Sequence, residues 1–326
     1  MTTTSGTTRL SGSTTSRTPR MTASVRTRRR PDPRPPWMEA PSTVEQIAKV
    51  VAVVVVCFLV IYPFVNIIAT SLSSEAEIVA NGGVISLFPT RPTLDAYQAI
   101  FAGGVVSRAM LVSFGVTVVG TACNMLATIT LAYALSRPIV AGRPILMMVL
   151  LTMLFGSGII PNFLLVNALG LYNTYAALIL PGLISAFNFL VMRNFFMNLP
   201  QELFEAARID GAGDLRILLQ LVLPLSKAVL AVITLFYAVA QWNAFFSSLL
   251  YLQDTSKWPL PMVLRLYVLQ GQPVGIDSAA VAGEALPSIQ AVQMAVVVVS
   301  VVPILCVYPF LQRYFTKGVL TGAIKG

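Results

Sequence analysis

An all-α integral membrane protein with six transmembrane helices is the fold class this sequence predicts. Three observations predict it. Of 326 residues, 56% are hydrophobic and only 11% charged, against about a quarter charged in an average soluble domain. The apolar residues gather into runs of about twenty, enough to cross roughly 30 Å of hydrocarbon. The positive charges fall in alternate polar segments between those runs, as in chains threaded through a bilayer.

Residues 1–42 are rich in Thr, Ser, Arg and Pro, with almost nothing apolar to bury. A disordered basic tail is expected there. It holds Arg9, Arg17, Arg20, Arg26, Arg28, Arg29, Arg30 and Arg34. Beside a membrane span such a tail sets orientation or touches the anionic lipid bilayer; it does not point to nucleic acid. The basic region and the apolar run after it are both too long for a signal peptide.

The first span covers 48–70 within a membrane segment 43–71, and a polar loop follows over 71–106. The second span covers 110–135, and Ser136 to Arg143 form a short basic loop. The third, 145–168, ends in a tight turn at Gly170, Leu171, Tyr172 and Asn173. The fourth is 174–192 and the fifth 228–251. A long polar loop over 252–288 precedes the sixth span, 289–310, and a short tail. Pro161, Pro181, Pro303 and Pro309 lie in or near spans, where neighbouring helices can satisfy the carbonyls they free.

Six spans put both termini on one side. Of the 22 Lys and Arg, only Arg91, Arg108, Lys257 and Arg265 lie in the loops of the opposite side. The excess of positive charge therefore places both termini, the 136–143 loop and the 193–227 loop in the cytoplasm.

That last loop contains the longest polar interruption of the second half, 198–224. It reads as two short helices around a glycine turn. Pro200 suits a first helical turn. Leu203, Phe204 and Ala207 share a face. Gly211 and Gly213 break the helix, and Asp214 can cap a second one over 215–223 that ends at Pro224. Glu202, Glu205, Asp210 and Asp214 outnumber Arg208 and Arg216. An acidic ridge suits a groove on another protein better than anionic lipid.

Absences narrow the function. The chain has no histidine, and its three cysteines, Cys57, Cys123 and Cys306, sit in apolar runs as small buried hydrophobes. Zinc sites and Ser-His or Cys-His nucleophiles are thus not expected, and no catalytic residue, metal or cofactor is assigned. There is no phosphate-binding G-x-x-x-x-G-K-[ST] loop. No Asp, Glu, Lys or Arg lies in the interior of a span, whereas ion-coupled carriers place such groups there. Energy for any transport must come from outside the bilayer. The spans do hold Asn124, Asn162, Asn167, Asn188, Gln241 and Asn243. These either join helices by hydrogen bonds or line a path for a neutral, hydroxyl-rich solute; Asn188, Gln241 and Asn243 are the pathway candidates.

The run Glu205, Ala206, Ala207, then Asp210, Gly211, Ala212, then Leu223 and Pro224 resembles the EAA loop of permease subunits in bacterial type I ATP-binding-cassette importers. Tyr172-Asn173-Thr174, Gln241-Trp242-Asn243 and Lys257-Trp258-Pro259-Leu260 resemble the carbohydrate-uptake branch, in particular the maltose-type second permease and the aldouronate or complex-oligosaccharide permeases. The likeness runs from about residue 45 to the end. Two departures occur: Leu218-Leu219-Gln220 replaces an expected aromatic, and Ala228 follows Lys227 where a second proline is common. The resemblance implies a MetI-like permease fold with a five-helix core over 104–312 and a cytoplasmic tail over 313–326, whose part from Thr316 to Gly326 reaches the ATPase dimer. It also implies that Glu205 contacts an ATPase arginine, that Ala206 and Ala207 allow close approach, and that Gly211 makes the turn. The implied partners are a second homologous permease, two cytoplasmic ATPase subunits and an extracellular or periplasmic sugar-binding protein, at the bacterial cell membrane. The alternative is a secondary sugar carrier acting alone, disfavoured by the uncharged spans and the lack of visible duplicated halves.

Overall fold

The computed structural model describes residues 42–80, 89, 91–270 and 288–323, and every regular element among them is helical. The expected disordered tail lies outside the described residues up to Pro41. The chain divides into two compact units, 1–55 and 56–326.

The described part of the first unit is the start of α1 (Thr43–Ser71). The Ser42 hydroxyl accepts a hydrogen bond from the Glu45 amide at 3.1 Å, which caps one of the unpaired first-turn donors. Lys49 pairs with Glu45 one turn away at 2.6 Å.

In the second unit α1 ends where Ala69, Thr70 and Ser71 become buried. Ser71 bonds Tyr97 hydroxyl to hydroxyl at 2.8 Å. The polar loop expected after it carries two short helices, α2 (Glu75–Ala80) and α3 (Asp95–Ala102). Then comes α4 (Val105–Leu135), which starts five residues before the expected span.

Three expected crossings are interrupted. The third is two helices, α5 (Gly142–Leu154) and α6 (Ile159–Ala168). The break falls at Phe155-Gly156-Ser157-Gly158, where Gly158 takes φ +79°, a region open to glycine at little cost. The fourth is α7 (Ala176–Ile179) and α8 (Ala186–Met197), separated at Pro181-Gly182, with the Ser185 side chain capping α8. After α9 (Gln201–Ile209), α10 (Asp214–Ile217) and α11 (Leu223–Leu225), the fifth is α12 (Lys227–Trp242) and α13 (Phe245–Tyr251), parted at Asn243-Ala244. The loop after it includes α14 (Leu260–Arg265). The chain closes with α15 (Ile289–Ala323), which runs through Pro303 and Pro309. Among the described residues, α1, α4 and the Ile289–Val307 part of α15 are long and apolar enough to cross a membrane. The bent pair Asp214–Leu225 and Lys227–Trp242 makes a fourth if counted as one span.

The interior is built on α4. It packs against α8, α12 and α14, and α12 packs against α15. Apolar burial draws helices together weakly in lipid, so close approach and hydrogen bonds must hold them. Gly120 of α4 provides the approach: a Cβ there would lie 2.9 Å from Cδ of Gln241 on α12. Hydrogen bonds follow along the interfaces. The Trp242 indole donates to the Ser300 carbonyl at 3.1 Å, and the Leu260 amide donates to the Ser113 hydroxyl at 2.7 Å. Arg193 Nε donates to the Leu135 carbonyl at 2.8 Å.

In the turn after α6, Asn173 takes φ +59°, a conformation asparagine tolerates better than most residues. Its side-chain oxygen accepts from the amides of Gln253 and Asp254, and its carbonyl accepts from Lys257 Nζ at 2.8 Å. This ties the 170–174 turn to the chain after α13. Ser256, through its side chain and its amide, holds the Asp254 carboxyl below its ordinary value.

The cysteines correct an expectation. Cys57, Cys123 and Cys306 are free thiols exposed on the helix surfaces, not buried. An apolar run in a membrane helix has a face turned away from the core as well as one toward it, and these thiols lie on the former.

The hydroxyl of Tyr237 on α12 joins three elements. It lies 2.7 Å from the Thr128 hydroxyl of α4 and accepts from the Ser185 amide at 3.0 Å. Tyr237→Phe strands both partners and lowers stability by about 1–2 kcal/mol, measured as unfolding in mixed detergent micelles. Thr128→Val added to it costs less than its effect alone, because the shared bond is already gone.

Candidate functional site

The 198–224 stretch forms a hairpin of two helices, and its turn can be read from the backbone. Helix α9 ends at Ile209, and Gly211 follows at φ +77°. The Ala212 amide donates to the Ala207 carbonyl at 2.9 Å, and the Gly211 amide donates to the Arg208 carbonyl at 3.0 Å. These two bonds are a Schellman cap, which satisfies orphan carbonyls at a helix end and needs a left-handed residue after the cap. Its usual apolar contact is present too, since Ala207 and Ala212 pack against the same cluster. A Cβ on Gly211 would meet nothing within 4 Å. The demand for glycine is therefore conformational, and a β-branched residue would be strained there.

Two details of the hairpin differ from the sequence reading. Asp214 does not cap the second helix: Gly213 occupies the cap position without a side-chain bond, and Asp214 is the first helical residue. There its carboxylate still faces the positive end of the helix dipole, 4.0 Å from Arg208. The helix also does not stop at Pro224. It widens into a π-helical turn over Leu218–Val222, passes through α11, and bends by 86° at Ser226 into α12. The widened turn relieves the clash a proline ring makes with the carbonyl four residues earlier.

The hairpin has an anchored face and an open one. Phe204 is 6% exposed and packs with Ile217, Leu218 and Val222 against Leu135, Phe189, Met192 and Phe196. Leu203, expected on the same face, is turned outward. Above Phe204 lies Arg137, from the loop after α4, with its guanidinium 4.5 Å from the Phe204 ring centre and 4.7 Å from that of Tyr133. The Tyr133 hydroxyl donates to the Asp214 carbonyl at 3.1 Å. The end of α4 thus grips both arms of the hairpin. The open face presents Glu205, Ala206, Asp210 and Gly211, with Ile209 86% exposed and Leu215 and Leu219 also exposed. Leu223 is half-buried and Pro224 exposed.

Sequence reasoning missed Arg137 and the ridge of Ile209, Leu215 and Leu219. The ridge had a signal, since apolar residues flanking a glycine turn in an acidic hairpin have no bilayer core to enter. Arg137 had none, because its ring partners are brought together only by the fold.

A cavity of about 630 Å³ lies between α7–α8 and α12–α13, with Asn124 of α4 in its wall. Two of the three pathway candidates line it, Asn188 and Gln241, together with Asn124. Asn243 does not: it ends α12, and its side-chain amide donates to the Val239 carbonyl at 2.9 Å.

Comparison with known proteins gives the family and the fold. The family described as "Binding-protein-dependent transport system inner membrane component" matches residues 98–321. The chain is 44% identical over 267 residues to the polygalacturonan/rhamnogalacturonan transport system permease protein YtcP of Bacillus subtilis (strain 168), covering 82% of this chain and 93% of that protein. It is 46% identical over 267 residues to protein LplC of the same organism, covering 82% and 90%. Its fold matches a crystal structure of a bacterial ABC transporter involved in the import of the acidic polysaccharide alginate. The TM-score is 0.78 at 30% identity, covering 85% of this chain and 100% of that one.

Arg137→Ala removes the group held between two rings and loosens α9. In the purified protein, cleavage at Glu205 by a glutamate-specific protease should quicken by about tenfold, the size expected of a partly desolvated cation–π contact of about 1.4 kcal/mol. An unchanged rate would mean the guanidinium holds nothing.

Proposed function

We propose a role for this chain within the family to which it belongs, the inner membrane components of binding-protein-dependent transport systems: it is a permease subunit of an ATP-driven importer of oligosaccharides. The chain is not itself an enzyme, and ATP is hydrolysed by a separate subunit. A carrier acting alone does not fit such a family. YtcP is named for the transport of polygalacturonan and rhamnogalacturonan, and the structural relative imports the acidic polysaccharide alginate; both favour a uronate-containing cargo.

The observation that carries the mechanism is the two-faced hairpin over 198–224. We read its open face as the surface that docks on a cytoplasmic ATPase. Glu205 supplies the acidic contact, Ala206 and Ala207 keep the approach close, and Ile209, Leu215 and Leu219 add apolar contact. Asp210, Gly211 and Ala212 hold the turn, and Leu223 and Pro224 lead into α12. The anchored face passes movement to α4 through Phe204, Arg137 and Tyr133. Asn188 and Gln241 line this chain's half of the path, and a second homologous permease forms the other half. A sugar-binding protein delivers cargo to the outer side. ATP binding favours whichever permease state the closed ATPase pair fits better.

The topology that supports this role has six crossings and both termini in the cytoplasm, with the interrupted helices α5–α6, α7–α8 and α12–α13 each making one. It follows from the positive-charge bias.

Three measurements test these readings. Gly211→Val abolishes uptake while membrane insertion persists, and Gly211→Asn retains most of it, because asparagine tolerates the left-handed conformation. Normal uptake by the valine variant in vesicles would sink the docking role. Glu205→Cys cross-links to a co-expressed ATPase subunit, and failure there and at neighbouring positions counts against docking. For topology, Ile209→Cys reacts with an impermeant maleimide only in opened cells and Gln253→Cys in intact ones. The reverse pattern would invert the chain.

A further inference from the structure

The cavity between α7–α8 and α12–α13 is polar without being charged. Its lining includes three side-chain amides, Asn124, Asn188 and Gln241, and no ionisable acid or base other than tyrosine. All three amide side chains belong to residues at least nine-tenths buried. Asn124 is 2% exposed, and its side-chain oxygen has no hydrogen-bond partner. A buried acceptor without a partner is disfavoured unless something in the cavity completes it. Phe187 and Phe236 also line it and form an exposed tilted pair with ring centres 6.5 Å apart. The volume of about 630 Å³ is that of a small-molecule site.

We infer that this cavity is a subsite for the uncharged, hydroxyl-bearing face of a sugar ring. The inference rests on the proposed permease role and adds a ligand chemistry to its pathway. An amide both donates and accepts, so three of them match the alternating donors and acceptors of vicinal hydroxyls. The exposed Phe187–Phe236 pair supplies apolar ring surface for the C–H face of the sugar. A carboxylate brought into the same space would lose water and gain no cation, which is unfavourable. A uronate ring therefore sits with its hydroxyls toward this chain and its carboxylate turned away. Gly120 makes the arrangement possible, because the Gln241 side chain occupies the space where its Cβ would stand.

The test uses cells in which the native chain is replaced by variants. Initial uptake is measured for labelled trigalacturonate and for its carboxyl-reduced counterpart, galactotriose. Asn188→Ala should slow uptake of each probe that wild-type cells take up by about tenfold, the loss expected of one to two hydrogen bonds. The factor should be the same for both probes. Membrane level and binding-protein-stimulated ATP hydrolysis should stay unchanged, which a merely structural defect would not allow. Phe187→Leu, at an exposed position that leaves the fold intact, should slow both probes as well. Uptake within twofold of wild type for both variants overturns the subsite. So does a loss for trigalacturonate more than threefold larger than for galactotriose. If wild-type cells take up neither probe, the cargo proposed above falls and the subsite falls with it.

Discussion

Lipid gives apolar side chains little reason to leave it, so helices that pack in a bilayer must be joined by shape and by hydrogen bonds. In this chain that constraint is met between α4 and α12. Gly120 lets the two helices close on the Gln241 side chain, and the Tyr237 hydroxyl binds Thr128 and the cap of α8 together. The other features are placed by this contact. The cavity opens beside it, α8 is oriented by it, and α12 leads back to the hairpin that the end of α4 holds.

The hairpin shows how a polar segment can be fixed at the margin of an apolar protein. Its glycine turn is closed by its own amides and carbonyls. Its grip on the body uses the buried side chains of Phe204, Ile217, Leu218 and Val222, the Arg137 guanidinium over Phe204 and the Tyr133 bond to the Asp214 carbonyl. Cation–π contacts of this kind are worth from about 0.5 to more than 2 kcal/mol as they lose water. Burial of Phe204 adds more, since removing such a ring from a core costs about 3–5 kcal/mol. The glycine turn is needed for direction and the ring for attachment, and each works without the other.

Composition and charge placement sufficed for the membrane class, the helical content and the position of the hairpin between apolar stretches. The Asp210-Gly211-Ala212 turn was legible because a left-handed residue after a helix is a local demand. Interruptions at Phe155–Gly158 and at Pro181 were written in glycine and proline but masked by continuous hydropathy. The stop expected at Pro224 failed because the π-helical turn before it makes room for the ring. Asn243, a pathway candidate by type, is spent on capping α12, whereas Asn124 faces the cavity. Side-chain type does not reveal which face of a span is turned inward, and a span apolar all round carries no amphipathic signal to say so.

The 86° bend at Ser226 sets a mechanical ratio. The arm from Asp214 to Leu225 is about 18 Å long and α12 about 24 Å long at the helical rise per residue. Turning as one body about the bend, a displacement of about 3 Å at the tip of the arm swings the far end of α12 by about 4 Å. That far end carries Gln241 and Trp242. A nearly right-angled elbow thus converts a push across the arm into a tilt of the neighbouring helix, with a slight gain in travel and a matching loss in force.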